Sequence, residues 1–323
     1  FKGLNMAEKQ DKNWEKQTIE KIAMESLIHQ KNSRRWSNFF KLISLIYIGW
    51  VLFFVLTSSN SSTIATGDFT ALITLNGEIS ADSEVSAINI KSSLKEVYDN
   101  PGTKALILSI NSPGGSPVQS GIINDEIVRY KSLHPQIPVY AVIEDICASG
   151  GYYIAVAADK IFVDKASIVG SIGVLMNGFG FDKVIENLGI ERRLLTSGEN
   201  KAILDPFLPV QPKQREFIQA LLKEVHNQFI EVVKKGRGNK LAQNPEIFSG
   251  LFWSGESAIK LGLADSYGDI DLVARDIVGH EKVVDFTYQS NFADRFAKKL
   301  GASIGSKIGN GILKNNIKNI KLN

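Results

Sequence analysis

Residues 42–56, LISLIYIGWVLFFVL, contain no charged side chain, and no other stretch constrains the chain as strongly. The uncharged run continues past Thr57, so the ~20 residues needed to cross a bilayer are available. A helix in the core of a water-soluble fold normally keeps a polar face. This run has none, which leaves lipid as its matching surroundings. A cleavable leader fits poorly, because the basic region before it is long and no small-residue cleavage site comes after it. Nine Lys/Arg precede the run, among them Lys31, Arg34, Arg35 and Lys41, and after it none appears until Lys91. That asymmetry predicts a single-pass anchor with the N-terminal side in the cytoplasm and everything beyond about Thr57 on the far side. The expected organisation is a cytoplasmic segment over 1–41, a transmembrane anchor over 42–57 and a Ser-rich linker over 58–67. A short amphipathic helix is expected around Ile19, Ile22, Ala23 and Leu27.

Residues 68–290 read as a folded domain. Strand-like apolar runs (69–75, 104–110, 138–143, 160–163, 191–196) alternate with helical patterns (83–98, 117–130, 182–188), and a long helix is expected over 212–235. Such alternation predicts an α/β fold with a parallel sheet and right-handed crossovers. Pro212 suits the first turn of the long helix and Gly236 its stop. Ser254 reads as an N-cap in the compact piece from Leu251 onward. The hydrophobic share of 44% supports a full core, and a net charge of +3 gives no case for a nucleic-acid partner. The chain has one cysteine, Cys147, so it forms neither an internal disulfide nor a cysteine zinc site. Its four histidines are scattered without metal-ligand spacing, and no cofactor or metal is expected.

The stretch 291–323 differs in kind. Phe292, Phe296, Leu300, Ile304, Ile308 and Ile312 recur every four residues, with seven Lys/Arg against one acid, Asp294. Its several glycines weaken an isolated helix. A disordered basic tail and an amphipathic arm docked on membrane or protein both fit.

The chemistry centres on residues 143–157, IEDICASGGYYIAVA. A strand runs into a small-residue turn, and then into an apolar helix. Ser149 at that turn faces the free backbone N–H groups of a helix start, a place for an oxygen nucleophile and the anion it creates. Upstream, Asn111-Ser112-Pro113-Gly114-Gly115-Ser116 comes directly after a buried strand, where α/β sheets bind ligands. Its glycines let the backbone approach a substrate, with N–H groups to pair with that of Gly150 as oxyanion donors. An ordinary tight turn reads the same way. The activating base is harder to find. His29 falls on the wrong side of the anchor, while His134, His226 and His280 read as solvated surface or loop residues. A lysine kept neutral by burial is the alternative. Lys201 stands out, directly after the strand at 191–196 and before the apolar Ala202, Ile203 and Leu204. Cys147, two residues before the turn, is expected to face the core.

The motifs NSPGGS, ASGGYYIA, VGSIGV and SGENKAILDPF, with FSGLFWSGESAIKLGLAD near the end, resemble the signal peptide peptidase (protease IV) family in its short bacterial form, from about Phe69 to Ile277. That resemblance implies a fold shared with the Clp protease and crotonase superfamily and a serine peptidase with a Ser/Lys dyad. Ser149 matches the nucleophile and Lys201 the general base. Ser171 matches a serine that orients the lysine, Gly115 and Gly150 match the oxyanion donors, and Gly114 and Ser116 fall at substrate-binding positions. The resemblance further implies an extracytoplasmic peptidase on the bacterial inner membrane, acting on remnant signal peptides and other apolar peptides. It also implies a homo-oligomeric ring in which neighbouring subunits share the dyad. Activity is then expected to rise into mildly alkaline pH as the lysine deprotonates. The competing readings are a crotonase-like acyl-thioester enzyme, which needs no serine nucleophile, and a non-catalytic membrane scaffold that binds apolar peptides.

Overall fold

The computed structural model describes residues 4–57 and 67–289, which belong to two compact units. The first holds α1 (Leu4–Thr57), one uninterrupted helix of 54 residues. At 1.5 Å per residue it is about 80 Å long. The amphipathic piece around Ile19 and the apolar run are therefore parts of the same helix. Its span of membrane-crossing length and composition is Ser33–Phe53, exposed throughout. This span begins earlier than the uncharged run because Trp36, Phe39 and Phe40 add apolar surface ahead of Leu42. Those three rings cluster, with centroids 5.8 to 6.0 Å apart. Nearly all of the linker expected at 58–67 and the tail expected at 291–323 lie outside the described residues.

The second unit is an α/β domain. Its strands are β1 (Phe69–Asn76), β2 (Thr103–Ser112), β3 (Val139–Ala148), β4 (Lys160–Val163), β5 (Ile168–Gly170), β6 (Phe252–Ser254), β7 (Ser266–Tyr267) and β8 (Val283–Asp285). Its main helices are α2 (Ala87–Asp99), α3 (Pro117–Leu133), α4 (Gly150–Ala155), α5 (Asp182–Asn187), α6 (Pro212–Arg237) and α7 (Gly255–Lys260), with a further helical stretch over 270–278. The sheet runs β6-β5-β3-β2-β1-β8, with β4 and β7 branching from β3. Every pairing is parallel except β5 with β6. The central strands read as continuous apolar runs because both faces are covered. Ile73, Leu75, Leu106, Leu108 and Ile110 enter the large core beneath the helices, and Ile107 and Val142 pack with Phe162, Val273 and Ala274 on the other face.

A change of strand partner positions the site. β3 pairs with β4 through Tyr140–Ile143 and then with β5 through Ile146–Ala148. Its C-terminal end thereby extends past β4 to deliver Ser149.

Two expectations about elements need correction. No strand forms at 191–196. A strand needs a neighbouring ladder, and here Arg192 pairs instead with Asp205 and Arg193 with Glu191, while Leu195 is 98% exposed. Gly236 does not end the long helix. α6 continues through Arg237, and Gly238, at φ 52°, is the capping residue. Gly236 instead lies so close to Val156 that a Cβ there would overlap the Val156 carbonyl oxygen. The two added residues include Arg237, whose side chain is 1% exposed. Its Nε donates to the Gly262 carbonyl at 2.8 Å and its Nη1 to Asp265 at 2.8 Å.

Candidate active site

Ser149 comes directly after the last residue of β3, with φ 50° and ψ −120°. A non-glycine residue is uncommon at positive φ, and the conformation costs on the order of 1–3 kcal/mol. Two backbone bonds hold it there. The Ser149 N–H donates to the Gly170 carbonyl at 2.8 Å, and its own carbonyl accepts from the Tyr153 N–H at 3.0 Å. The hydroxyl makes no capping bond to the helix it precedes, so it is available for other chemistry. α4 is only six residues long. What it contributes is therefore its unpaired first-turn N–H groups more than a long dipole.

Ser171 occupies the equivalent position on the adjacent strand. Ala148 is in register with Gly170, so Ser149 and Ser171 emerge side by side from neighbouring parallel strand ends, about one strand spacing apart. Ser171 also has positive φ, 52°. Its N–H donates to the Leu251 carbonyl at 2.7 Å.

The glycine loop closes the other side. Ile79 N–H donates to the Gly114 carbonyl at 2.9 Å and Ser116 N–H to the Ile79 carbonyl at 2.8 Å, a clamp from the β1–α2 connection. Gly114 N–H donates to Ser112 Oγ at 3.1 Å. The Ser116 hydroxyl caps α3 by accepting from the Gln119 N–H at 3.3 Å. Gly114 and Gly115 have φ of 103° and 146°. A Cβ on Gly114 would sit 2.7 Å from the Gly150 nitrogen, 2.7 Å from Ser149 Cβ and 2.8 Å from the Ala148 carbonyl oxygen. A Cβ on Gly150 would sit 3.3 Å from the Gly115 nitrogen. The Gly115 and Gly150 amides thus lie together beside Ser149. Among the described residues, neither N–H has an acceptor. Two adjacent free donors next to a hydroxyl are what a tetrahedral oxyanion requires.

A cleft opens over Ser149, Gly115 and Gly150, with Pro117, Tyr153, Val174, Val225 and Phe229 in its walls. Burial, and after it the nearby Asp125, raises the Tyr153 phenol above its ordinary pKa. Cys147 is fully buried beneath the turn, and burial pushes its thiol far up. It is an inert core group, as expected. A wider depression beside α2, at Ile88 and Lys91, contains none of the site residues.

Lys201 is not part of this assembly within the single chain. It lies in a run of turns over 197–204 and is exposed, and among the described residues no hydrogen bond joins it to Ser149 or Ser171. The burial expected to neutralise it is absent from the folded chain. The segment carrying it, between Gly173 and α6, also exposes Leu175, Phe179, Phe181, Leu188, Ile190 and Leu195. The reading of His226 as a solvated surface residue needs correction: it is half-buried, with Nε2 2.9 Å from the Ile172 carbonyl oxygen. Nothing in its helical surroundings, between Val225 and Asn227, signals that contact.

Residues 131–283 match the profile of peptidase family S49; the stretch includes Ser149, Ser171 and Lys201, and the 111–116 loop lies before it. The chain is 31% identical over 199 residues to a putative signal peptide peptidase SppA of Enterococcus faecium, covering 62% of this chain and 57% of that protein. It is 32% identical over 178 residues to protease 4 of Haemophilus influenzae, covering 55% of this chain and 28% of that one. It is also 46% identical over 186 residues to a Brucella abortus protein named Na(+)/H(+) antiporter NhaA, of which the match covers 25%. The chain therefore spans between a quarter and somewhat more than half of these relatives. Among the described residues one helix is long and apolar enough to cross a membrane. The α/β sheet, the S49 match over residues 131–283 and the likeness to peptidases of this type agree, and together they support the signal peptide peptidase family.

Proposed function

We propose that this protein is a membrane-anchored serine endopeptidase with a Ser149/Lys201 dyad, degrading cleaved signal peptides and other apolar peptides. The observation that carries the reading is the pair of free N–H groups at Gly115 and Gly150 beside an uncapped Ser149 hydroxyl. Lys201, neutral when it acts, takes the Ser149 proton as Oγ attacks the scissile carbonyl. The two amides hold the oxyanion, and the leaving amine is protonated by the lysine. Water activated by Lys201 then hydrolyses the acyl-enzyme. Ser171, on the strand end next to Ser149, orients the lysine. Gly114 lets the substrate backbone approach, and the apolar walls at Tyr153, Val174, Val225 and Phe229 favour apolar or small side chains.

The exposure of Lys201 in a single subunit supports a dyad shared between neighbours in a ring. So does the exposed apolar surface of the segment that carries it, which is more than a lone soluble domain normally shows. The Ser33–Phe53 span supports an anchor, with Lys31 just before it, Arg34 and Arg35 in its first turn at the cytoplasmic end, and the Trp36–Phe39–Phe40 cluster at the lipid boundary. The domain beyond it stands on the extracytoplasmic side of the inner membrane.

Ser149→Ala and Lys201→Ala are each expected to abolish hydrolysis of an apolar fluorogenic peptide, and Ser149 is expected to react with a fluorophosphonate probe. A crotonase-like enzyme or a peptide-binding scaffold would leave that probe unreacted. Co-assembling the two inactive variants in equal amounts is expected to restore about one quarter of wild-type activity, the share of head-to-tail contacts that join an intact serine to an intact lysine. Zero recovery would mean that each subunit supplies its own lysine. Wild-type turnover by either single variant would dispose of the dyad.

A further inference from the structure

We infer that His226 is a positioning residue for the catalytic turn; this rests on the proposed roles of Ser149, Ser171 and Lys201. Its Nε2 lies 2.9 Å from the Ile172 carbonyl oxygen. A carbonyl only accepts, so Nε2 carries the proton and donates it. While that bond stands, Nε2 cannot act as a proton acceptor, and His226 is not the missing base through this nitrogen.

The contact matters because of where Ile172 sits. It is the residue between Ser171, whose backbone has positive φ, and Gly173, whose N–H folds back to the Ser171 carbonyl at 2.9 Å. Ser171 is otherwise tied by its N–H to Leu251. Ile172 itself is fully buried. From Gly173 onward the chain leaves for the exposed segment that carries Lys201 and returns only as α6. The His226 bond is thus a side-chain tie between that returning helix and the turn from which the lysine-bearing segment departs. On the same helix Val225 and Phe229, flanking His226, line the cleft over Ser149. One hydrogen bond therefore fixes the Ser171 turn relative to the wall against which the substrate lies. Its loss lets the turn relax from its positive-φ state, moving the hydroxyl that orients the lysine.

The test uses the full-length protein in detergent with an apolar fluorogenic peptide. His226→Leu keeps the volume and removes the donor, whereas His226→Gln offers an amide N–H at the same reach. His226→Leu is expected to lower kcat roughly tenfold, the effect of one neutral hydrogen bond on the barrier, with KM changed less than about threefold. His226→Gln is expected to recover most of that loss. Hydrogen–deuterium exchange supplies a readout independent of turnover: the Ser171 and Gly173 amides should exchange faster in His226→Leu than in wild type or His226→Gln. A purely structural role for His226 would lower thermal stability without this split. Faster exchange with unchanged kcat, or a Leu variant indistinguishable from wild type in both, overturns the inference and leaves the Ser149–Lys201 reading standing. Wild-type turnover by Ser149→Ala overturns that reading, and this inference with it.

Discussion

Replacing Gly114 by alanine separates the chemistry of the oxyanion site from the stability of the fold. Two costs act at this position. The backbone φ of 103° strains any residue with a Cβ, on the order of 1–3 kcal/mol. The added methyl would also stand 2.7 Å from the Gly150 nitrogen and 2.7 Å from Ser149 Cβ, where ordinary contact begins near 3.4 Å. The neighbours belong to the Ser149 turn, held by the Ser149–Gly170 and Tyr153–Ser149 bonds, and they cannot yield independently of it. The loop must therefore back away by about 0.7 Å. Oxyanion donors work only within a window of a few tenths of an ångström, and losing one costs about 10²–10³ in kcat. Gly114→Ala is accordingly expected to lose that much turnover, measured with the fluorogenic peptide, with a folded far-UV signature. Gly279→Ala serves as the control. Gly279 also has positive φ, 79°, but nothing lies within 4 Å of the added methyl, so it should lose about 1 kcal/mol of stability and keep its rate. A Gly114→Ala enzyme with kcat within tenfold of wild type would refute the placement of the anion at Gly115 and Gly150.

Two further expectations concern the scaffold and the anchor. Asp265 accepts from buried Arg237, from Lys240 and from the Ile161 N–H. Burial by itself would raise its carboxyl, but these donors hold it below the usual carboxylate range. A depressed folded-state pKa contributes stability above the unfolded value of about 3.9, and that contribution is lost as pH falls through the folded value. Thermal unfolding midpoints of the wild type should therefore fall between about pH 5 and pH 2 more steeply than those of Asp265→Asn. At neutral pH, Asp265→Ala should cost about 3–5 kcal/mol, because Arg237 is left buried without its carboxylate; equal midpoints would count against the pair. In the anchor, Ile46→Lys places a charge within the Ser33–Phe53 span, at a cost of about 2.5–3.5 kcal/mol for insertion. The carbonate-resistant membrane fraction should fall, and full retention would argue that the span is not in lipid.

Local chemistry was enough for much of this molecule. Apolar runs such as 104–110 and 138–143 read as buried strands, and the small-residue turn after β3 read as presenting Ser149 at a helix start. The glycines at 114 and 115 allowed a close backbone approach, but an ordinary tight turn reads the same way. The long apolar run before residue 57 needed no tertiary information either, since its length and lack of charge are properties of the segment alone. Other features depend on partners distant in sequence. Residues 191–196 have strand composition but no neighbouring ladder, so they stay irregular. Gly236 looked like a helix stop, yet the approach of Val156 explains the glycine and the buried Arg237–Asp265 pair carries α6 past it. Only the register of Ala148 with Gly170 sets Ser149 beside Ser171, and only the packing of α6 against Ile172 gives His226 its role. Lys201 marks the boundary between the two kinds of information. Its surroundings in sequence single it out, but the folded chain leaves it exposed, without the burial that its sequence setting suggested.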